Sequence, residues 1–129
     1  MPGTLNNDGA ATVARLRQTF DTGRTLDIGW RRTQLRALAG MLTDNGEAIV
    51  AAASQDLRRP PFETWLAEIV STVNEANHAA RNVGRWARRR HRLLEWSQLP
   101  GRAWIEYEPY GTVLIVGPWN VPFPVSYTP

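Results

Sequence analysis

The feature of this 129-residue chain that most constrains its fold is an unbroken aliphatic run at residues 112–116, near the end of the sequence. The run, Thr-Val-Leu-Ile-Val, shows no apolar–polar alternation, which is typical of a strand covered on both faces in a parallel sheet. Gly117-Pro118 ends it, because proline has no N–H to donate to a sheet ladder. Pro109 and Gly111 favour a turn just before it. We therefore predict a buried strand at 112–116 in an α/β fold.

Two residues with ligand-binding potential follow this predicted strand directly. Trp119 and Asn120 lie just past its carboxyl end, which is where open α/β sheets bind their ligands. Asn120 carries a neutral amide that can donate a hydrogen bond without titrating. The alternative interpretation is a turn-forming or helix-capping asparagine ahead of Pro122.

Apolar residues spaced by three and four predict helices ahead of the aliphatic run. The predicted bounds are about 10–22, 28–43, 44–56 and 61–92. The third helix opens at Asp44-x-x-Glu47, which has the pattern of a capping box. We expect residues 1–9, rich in Asn, Gly and Thr, to form a flexible leader, and residues 10–129 to form one domain.

The longest predicted helix, 61–92, begins at Pro61, a residue suited to the first helical turn. Its apolar stripe is predicted to comprise Phe62, Trp65 or Leu66, Ile69, Val73, Ala76, Ala80, Val83 and Ala87. After it, residues 102–108 alternate between apolar and polar side chains, which predicts a half-exposed strand.

Basic charge is concentrated at the end of the longest predicted helix. All 15 basic residues are arginine, and six of them fall within residues 81–92, where there is no acid. Arginine contacts phosphate well, so a nucleic-acid partner is one interpretation of this arginine block. We favour the other, a solvated helix end, because cations stabilise helix C-termini and no recognised nucleic-acid motif is present.

Cysteine and histidine usage excludes several kinds of site. The chain has no cysteine, so it contains no disulfide, no cysteine nucleophile and no thiolate metal site. His78 and His91 have no nearby acid cluster, and we therefore predict no metal site. There is no apolar run long enough for a membrane span and no secretory signal, so we expect a cytoplasmic protein.

The ordered motif at residues 109–122, Pro-Tyr-Gly-Thr-Val-Leu-Ile-Val-Gly-Pro-Trp-Asn-Val-Pro, resembles the N-terminal signature of the aldehyde dehydrogenase superfamily. That signature is Pro-x-Gly, an aliphatic strand, then Pro-Trp-Asn-x-Pro. The upstream chain resembles the class 3-like branch. The supporting segments are Leu16–Phe20 with Gly23–Thr25, Trp30–Arg31 with Gln34–Leu38, Gln55–Leu57 and Phe62–Glu63. The resemblance covers roughly residues 13–129.

The resemblance implies an α/β fold made of N-terminal helices plus the first strands of a Rossmann-like domain, which would be incomplete here. It implies that the Asn120 amide donates a hydrogen bond to the oxyanion formed when a cysteine attacks an aldehyde. It also implies that Val116, Gly117, Pro118 and Trp119 contact NAD or NADP, largely through backbone. The predicted strand at 102–108 would belong to a projecting region used in subunit association, which suggests a homo-oligomer.

The chain departs from the family pattern in three respects. The family mechanism needs a cysteine nucleophile, a glutamate that activates water and a lysine near the adenosine ribose. The chain has no Cys or Lys, and the region of the glutamate would follow Pro129. We therefore expect the N-terminal portion of an NAD(P)-dependent aldehyde dehydrogenase that is inactive alone and meets its aldehyde substrate only when completed. The alternatives are a non-catalytic interaction module whose partner completes the sheet and an arginine-mediated nucleic-acid binder.

Overall fold

The structure, a computed structural model, describes residues 9–128, so the leader predicted at 1–9 lies outside it except for Gly9. The fold is mostly helical, with a small two-stranded antiparallel sheet. The α-helices are α1 (Gly9–Asp21), α2 (Ile28–Asp44), α3 (Gly46–Leu57), α4 (Pro61–Thr64), α5 (Ser71–Trp86) and α6 (Pro122–Tyr127). The other elements are 3₁₀ turns at Arg24–Leu26 and Trp96–Gln98, a π-helical segment at Trp65–Val70, and strands β1 (Arg90–Arg92) and β2 (Ala103–Ile105). No helix among residues 9–128 is both long and apolar enough to span a bilayer.

Helix α2 has side-chain caps at both ends. Asp27 accepts a hydrogen bond from the Trp30 N–H at 2.6 Å and caps the N-terminus. At the other end the Asn45 side chain donates to the Met41 carbonyl at 2.7 Å. This corrects the predicted capping box, because Asp44 is the last residue of α2, and α3 begins after Asn45 with no side-chain capping bond.

The helical run that starts at Pro61 passes through α4, the π-helical segment and α5 without leaving right-handed backbone geometry. It ends at Trp86, six residues before the predicted end at Arg92. Arg90–Arg92 instead forms β1, which pairs antiparallel with β2 and sets Arg90 opposite Ile105. The prediction failed because inter-strand hydrogen bonds from a distant segment replace those of a continued helix.

The buried face of this run also differs from the predicted stripe. The buried residues of this run are Thr64, Glu68, Ile69, Thr72, Ala76 and Ala80, of which Ile69, Ala76 and Ala80 belong to the predicted stripe. The predicted core residues Phe62, Trp65 and Leu66 are exposed. The physical reason is the π-helical segment, whose wider i→i+5 turn rotates less per residue and keeps positions four apart on one side. The first half of the run therefore buries polar side chains.

The packed core lies where α2 contacts α5. Leu42 is fully buried on α2, and Ala76 and Ala80 provide small buried side chains on α5 that allow the helices to approach closely. Complete burial of a leucine contributes about 1.5–3 kcal/mol relative to exposure. The core is thus held by helix–helix contact rather than by a sheet.

The C-terminal part corrects the strand predicted at 112–116. Among the described residues this run has no regular secondary structure, and Leu114 and Val116 are exposed. The sheet has two strands, β1 and β2, and offers the run no neighbour, so no ladder of hydrogen bonds can form. The strand predicted at 102–108 is observed over Ala103–Ile105 alone, because β1 supplies only three partners.

Candidate functional site

The candidate site is the turn that leads into α6. Trp119 and Asn120 occupy this turn, and Pro122 begins the helix in the position that proline suits best. Val121, between them, has non-helical φ and ψ angles of −141° and 63° and redirects the chain. Asn120 is therefore presented two residues ahead of a helix, on a loop whose geometry two prolines restrict.

The backbone of Asn120 is held while its side chain stays available. Its carbonyl accepts a hydrogen bond from Nη2 of Arg59. Its side-chain amide makes no hydrogen bond within residues 9–128, and the residue is exposed. A loop that is anchored by its carbonyl can therefore offer the amide as a donor to a ligand.

Arg59 lies in the short connection between α3 and α4. Arg58, in the left-handed region at φ 52°, ends α3 and turns the chain so that the Arg59 side chain points inward. That side chain is only 14% exposed. Its Nη1 donates to Oε1 of Glu68 at 2.6 Å, and its Nε lies 3.7 Å from Oε1 of Glu63. The guanidinium thus bridges a buried carboxylate and the Asn120 carbonyl.

Glu68 is the most buried charged residue of the site, with 1% exposure, and lies in the π-helical segment. Each carboxylate oxygen has its own partner. Oε1 accepts from Arg59, and Oε2 accepts from the backbone N–H of Phe123 at 3.1 Å. Phe123 lies in the first turn of α6, where backbone N–H groups lack helical acceptors. We call Arg59 and Glu68 the clamp pair, because together they bind the loop on both sides of Pro122.

Two cavities adjoin the clamp pair. The first measures about 290 Å³ and is lined by Ile49, Ala53, Asp56, Leu57, Arg59, Glu68, Trp119, Pro122 and Phe123. The second, about 370 Å³, includes Asn120 and Pro60 in its wall. Leu57, Arg59 and Trp119 line both cavities, and Asn120 lines the second but not the first.

The residues expected at the cofactor form one continuous exposed segment with Asn120. Val116 and Trp119 are 84% and 79% exposed, and Pro118 is exposed between them. Gly117 approaches α6 so closely that a Cβ there would lie 2.5 Å from the Ser126 hydroxyl oxygen. These residues are thus accessible to a ligand, and their contact with NAD or NADP stays a prediction.

The arginine block of residues 81–92 is partly engaged within the fold. Arg89 donates to Glu106 at 2.7 Å, and its guanidinium lies 5.5 Å from the centre of the Trp104 ring. Arg90 lies 5.8 Å from the centre of the Tyr107 ring. These contacts tie β1 to the segment that carries β2. Arg88, Arg89, Arg90 and Arg92 therefore lie beyond the end of α5 and do not form the predicted solvated helix end.

Sequence reasoning did not identify the clamp pair. Neither Arg59 nor Glu68 belongs to a recognised motif, and 61 positions separate Arg59 from Asn120. The available signal was the series Thr64, Glu68 and Thr72, polar residues spaced by four along the predicted helix. Such a series indicates a buried polar line when the helix packs on that face.

Comparison with known proteins agrees with the motif. The model of the aldehyde dehydrogenase family matches residues 3–128. Aldehyde dehydrogenase family 3 member B1 of Bos taurus is 37% identical over 120 residues, which is 93% of this chain and 26% of the relative. Family 3 member I1, chloroplastic, of Arabidopsis thaliana is 34% identical over 122 residues, or 95% of this chain and 22% of the relative. The chain therefore spans about a quarter of the length of these relatives.

Proposed function

Since the chain belongs to the aldehyde dehydrogenase family, we propose that it forms the N-terminal portion of an NAD(P)-dependent enzyme that oxidises an aldehyde to a carboxylic acid. The observation that carries the proposal is the complete motif at residues 109–122, in which the Asn120 amide is exposed and its backbone is held by Arg59. Within the family fold these residues would begin the Rossmann-like domain, of which this chain supplies only the first part.

Asn120 is proposed to stabilise negative charge on the substrate oxygen. Its amide is a neutral donor, so it is available at any pH at which the protein is folded. A donor already held in position strengthens its hydrogen bond as charge develops, and loss of one such donor costs roughly 10²–10³ in rate. The anchored carbonyl of Asn120 supports this role, because it limits rearrangement of the loop during reaction.

Val116, Gly117, Pro118 and Trp119 are proposed to contact the cofactor, NAD or NADP. When bound, this cofactor accepts a hydride from the substrate. The residues of this chain would orient its ring and exclude water from one side, using exposed backbone and the Trp119 ring.

By itself the 129-residue chain is proposed to be inactive. It contains no cysteine, so no thiolate is available to attack an aldehyde. Activity would require the remaining sequence of the family fold, in the same polypeptide or in a complementing subunit. A homo-oligomer is the form in which we expect the completed protein.

The experiment is the intact mass and activity of the native polypeptide, captured with an antibody against the arginine block. We expect a mass well above the 14.5 kDa of this chain and aldehyde-dependent reduction of NAD or NADP. Asn120→Ala should lower the rate roughly 10²–10³-fold. The matched control is Asn74→Ala, exposed on α5, which should leave the rate unchanged. A mass near 14.5 kDa with no turnover and no co-purifying subunit would refute the proposal that the chain is part of a working dehydrogenase.

A second candidate function is an interaction module, and one observation favours it. The aliphatic run at 112–116 is unpaired among the described residues, and Leu114 is 89% exposed. A partner could pair with this run by strand addition, in which main-chain hydrogen bonds provide the affinity. A native mass near 14.5 kDa together with a co-purifying subunit that contains the cysteine and glutamate would favour this function. Recovery of a lone chain would count against it.

A further inference from the structure

We propose that Arg59 and Glu68 are positioning residues, which hold the Asn120 loop in the one orientation that aims its amide at the substrate oxygen. The direction of that amide rests on the function proposed above, whereas the ordering of the loop does not. Neither residue is expected to touch the substrate or the cofactor. They act through the backbone on both sides of Pro122.

The hydrogen bonds form one connected path. Nη2 of Arg59 donates to the Asn120 carbonyl, and Nη1 donates to Oε1 of Glu68. Oε2 of Glu68 then accepts from the Phe123 N–H. The loop is therefore fixed at two backbone groups three residues apart, with Pro122 between them. Rotation about the Asn120 backbone would break one contact or the other.

Burial of the ion pair does not by itself make it a net source of stability. Glu68 is 1% exposed and the Arg59 side chain 14% exposed, so water screens their interaction little. A buried ion pair is often no more stabilising than an apolar pair of the same volume, because both charges must be desolvated. What charged partners add is direction, since a guanidinium fork and a carboxylate bind only in a narrow geometry.

The π-helical segment supplies the position of Glu68. Glu68 and Ile69 are neighbours in this segment and both are buried. Two side-chain hydroxyls donate hydrogen bonds to backbone carbonyls of this segment. Thr72 donates to the Glu68 carbonyl at 2.7 Å, and Ser71 donates to that of Ala67. The π-helical segment and the Glu68 carboxylate therefore pack together against α6.

Glu63 provides a matched control within the same contact. It also faces Arg59, at 3.7 Å, but its side chain is 62% exposed. Among the described residues it makes no hydrogen bond with the loop of residues 119–123. Glu63→Gln and Glu68→Gln remove the same charge from the same arginine, and only the second is expected to release the loop.

The first test is hydrogen exchange by NMR on the 129-residue chain. Glu68→Gln leaves one oxygen to serve both Arg59 and Phe123, so exchange of the Phe123 amide should accelerate at least about tenfold, as for loss of a charge-assisted hydrogen bond. The Asn120 side-chain amide resonances should shift as well. Glu63→Gln should change neither readout. Unchanged Phe123 protection and Asn120 resonances in folded Glu68→Gln protein would overturn the proposal.

If the Glu68→Gln protein does not fold, Arg59→Lys tests the same positioning role. Lysine keeps the positive charge beside Glu68, but a single ammonium group cannot form the fork that also reaches the Asn120 carbonyl. We expect the Asn120 resonances to shift while the Phe123 amide keeps its protection. Asn120 resonances identical to those of the unaltered protein would overturn the proposal.

The second test uses the native dehydrogenase polypeptide. Glu68→Gln and Arg59→Lys should lower kcat by roughly 10–100-fold, because a small misplacement of a catalytic group is costly. The KM for NAD or NADP should stay within about threefold, because the affected interaction matters in the transition state. An unchanged kcat in the folded protein would overturn the positioning role. Absence of activity in the unaltered polypeptide would instead refute the proposed function, and the NMR result would still decide whether the pair orders the loop.

Discussion

The helical body (residues 9–86) and the hairpin of β1 and β2 with its flanking residues (89–106) each contain a short arginine–glutamate pair, and the two pairs have similar distances but different burial. Arg59 and Glu68 are 2.6 Å apart, with side chains 14% and 1% exposed. Arg89 and Glu106 are 2.7 Å apart, with side chains 60% and 43% exposed. The members of the first pair are near each other in sequence but bind a loop 61 and 55 positions away, whereas the second joins the two sides of a hairpin.

The difference teaches that a contact distance does not by itself give the strength or the role of an ion pair. An exposed pair is screened by water and salt and contributes about 0.2–1 kcal/mol. Removing one member of a buried pair leaves an uncompensated charge and costs about 3–5 kcal/mol. The same contrast holds for apolar residues, because Leu42 is buried between helices while Leu114 is exposed.

The largest expected effect is that of breaking the buried pair. Arg59→Ala should lower the free energy of unfolding by about 3–5 kcal/mol, because the Glu68 carboxylate would be left buried without its cation. The measurement is urea denaturation followed by circular dichroism. Arg89→Ala is the matched control and should cost less than about 1 kcal/mol. If Arg59→Ala and Arg89→Ala lowered the free energy of unfolding equally, the distinction between the buried and the exposed pair would be wrong.

Leucine truncation extends the comparison to apolar side chains. Leu42→Ala should lower the free energy of unfolding by about 2–5 kcal/mol, because it removes buried contacts and leaves a cavity between α2 and α5. Leu114→Ala should change it by less than about 0.5 kcal/mol, as for other surface substitutions. Thermal unfolding of the two variants checks this prediction. A large loss for Leu114→Ala would mean that this residue is covered in solution.

Replacing a glycine by alanine is expected to change the free energy of unfolding in opposite directions in α2 and in the segment after β2. Gly111, in the C-terminal part, has φ 89°, so Gly111→Ala should destabilise the protein by about 1–2 kcal/mol. Gly40 lies within α2, where a Cβ would meet nothing within 4 Å. Gly40→Ala should therefore stabilise by about 0.5–1 kcal/mol. The midpoints of urea unfolding test both, and a stabilising Gly111→Ala would contradict the turn geometry.

The smallest expected effect is the salt dependence of the hairpin pair. A double-mutant cycle on Arg89 and Glu106 should give a coupling of about 0.2–1 kcal/mol that decreases as ionic strength rises. The same cycle on Arg59 and Glu68 should give a larger coupling that salt hardly changes. Cycles measured at low and high salt check this. A salt-insensitive hairpin pair would show that burial is not the cause of the difference.

The family and the candidate loop could be identified from the sequence alone. The motif at residues 109–122 is contiguous and ordered, so it can be recognised without knowledge of the fold. The family match over residues 3–128 confirms the resemblance. The catalytic role of Asn120 and the cofactor contacts of residues 116–119 stay predictions. Arg59 and Glu68 could not be identified, because 61 and 55 positions separate them from the loop groups they bind.

Helices were predicted more accurately than strands in this chain. The helical spacing of α1, α2 and α3 is a local property, and their observed bounds lie close to the predicted ones. The end of the long helix and the strand at 112–116 were wrong, because both depend on which strands are available for pairing. The capping box at Asp44 was wrong because Asn45 closes the preceding helix instead.

What the sequence by itself determined was the helical spacing of α1, α2 and α3 and the family, since each depends on residues that are neighbours in the chain. Helical hydrogen bonds join residues four apart, so a short stretch of neighbouring residues is enough to predict a helix. Tertiary structure alone decided the pairing of β1 with β2, the burial of Glu68 in a π-helical turn and the anchoring of the Asn120 loop. Those features depend on hydrogen bonds and desolvation between segments far apart in sequence, and no local pattern specifies which segments meet.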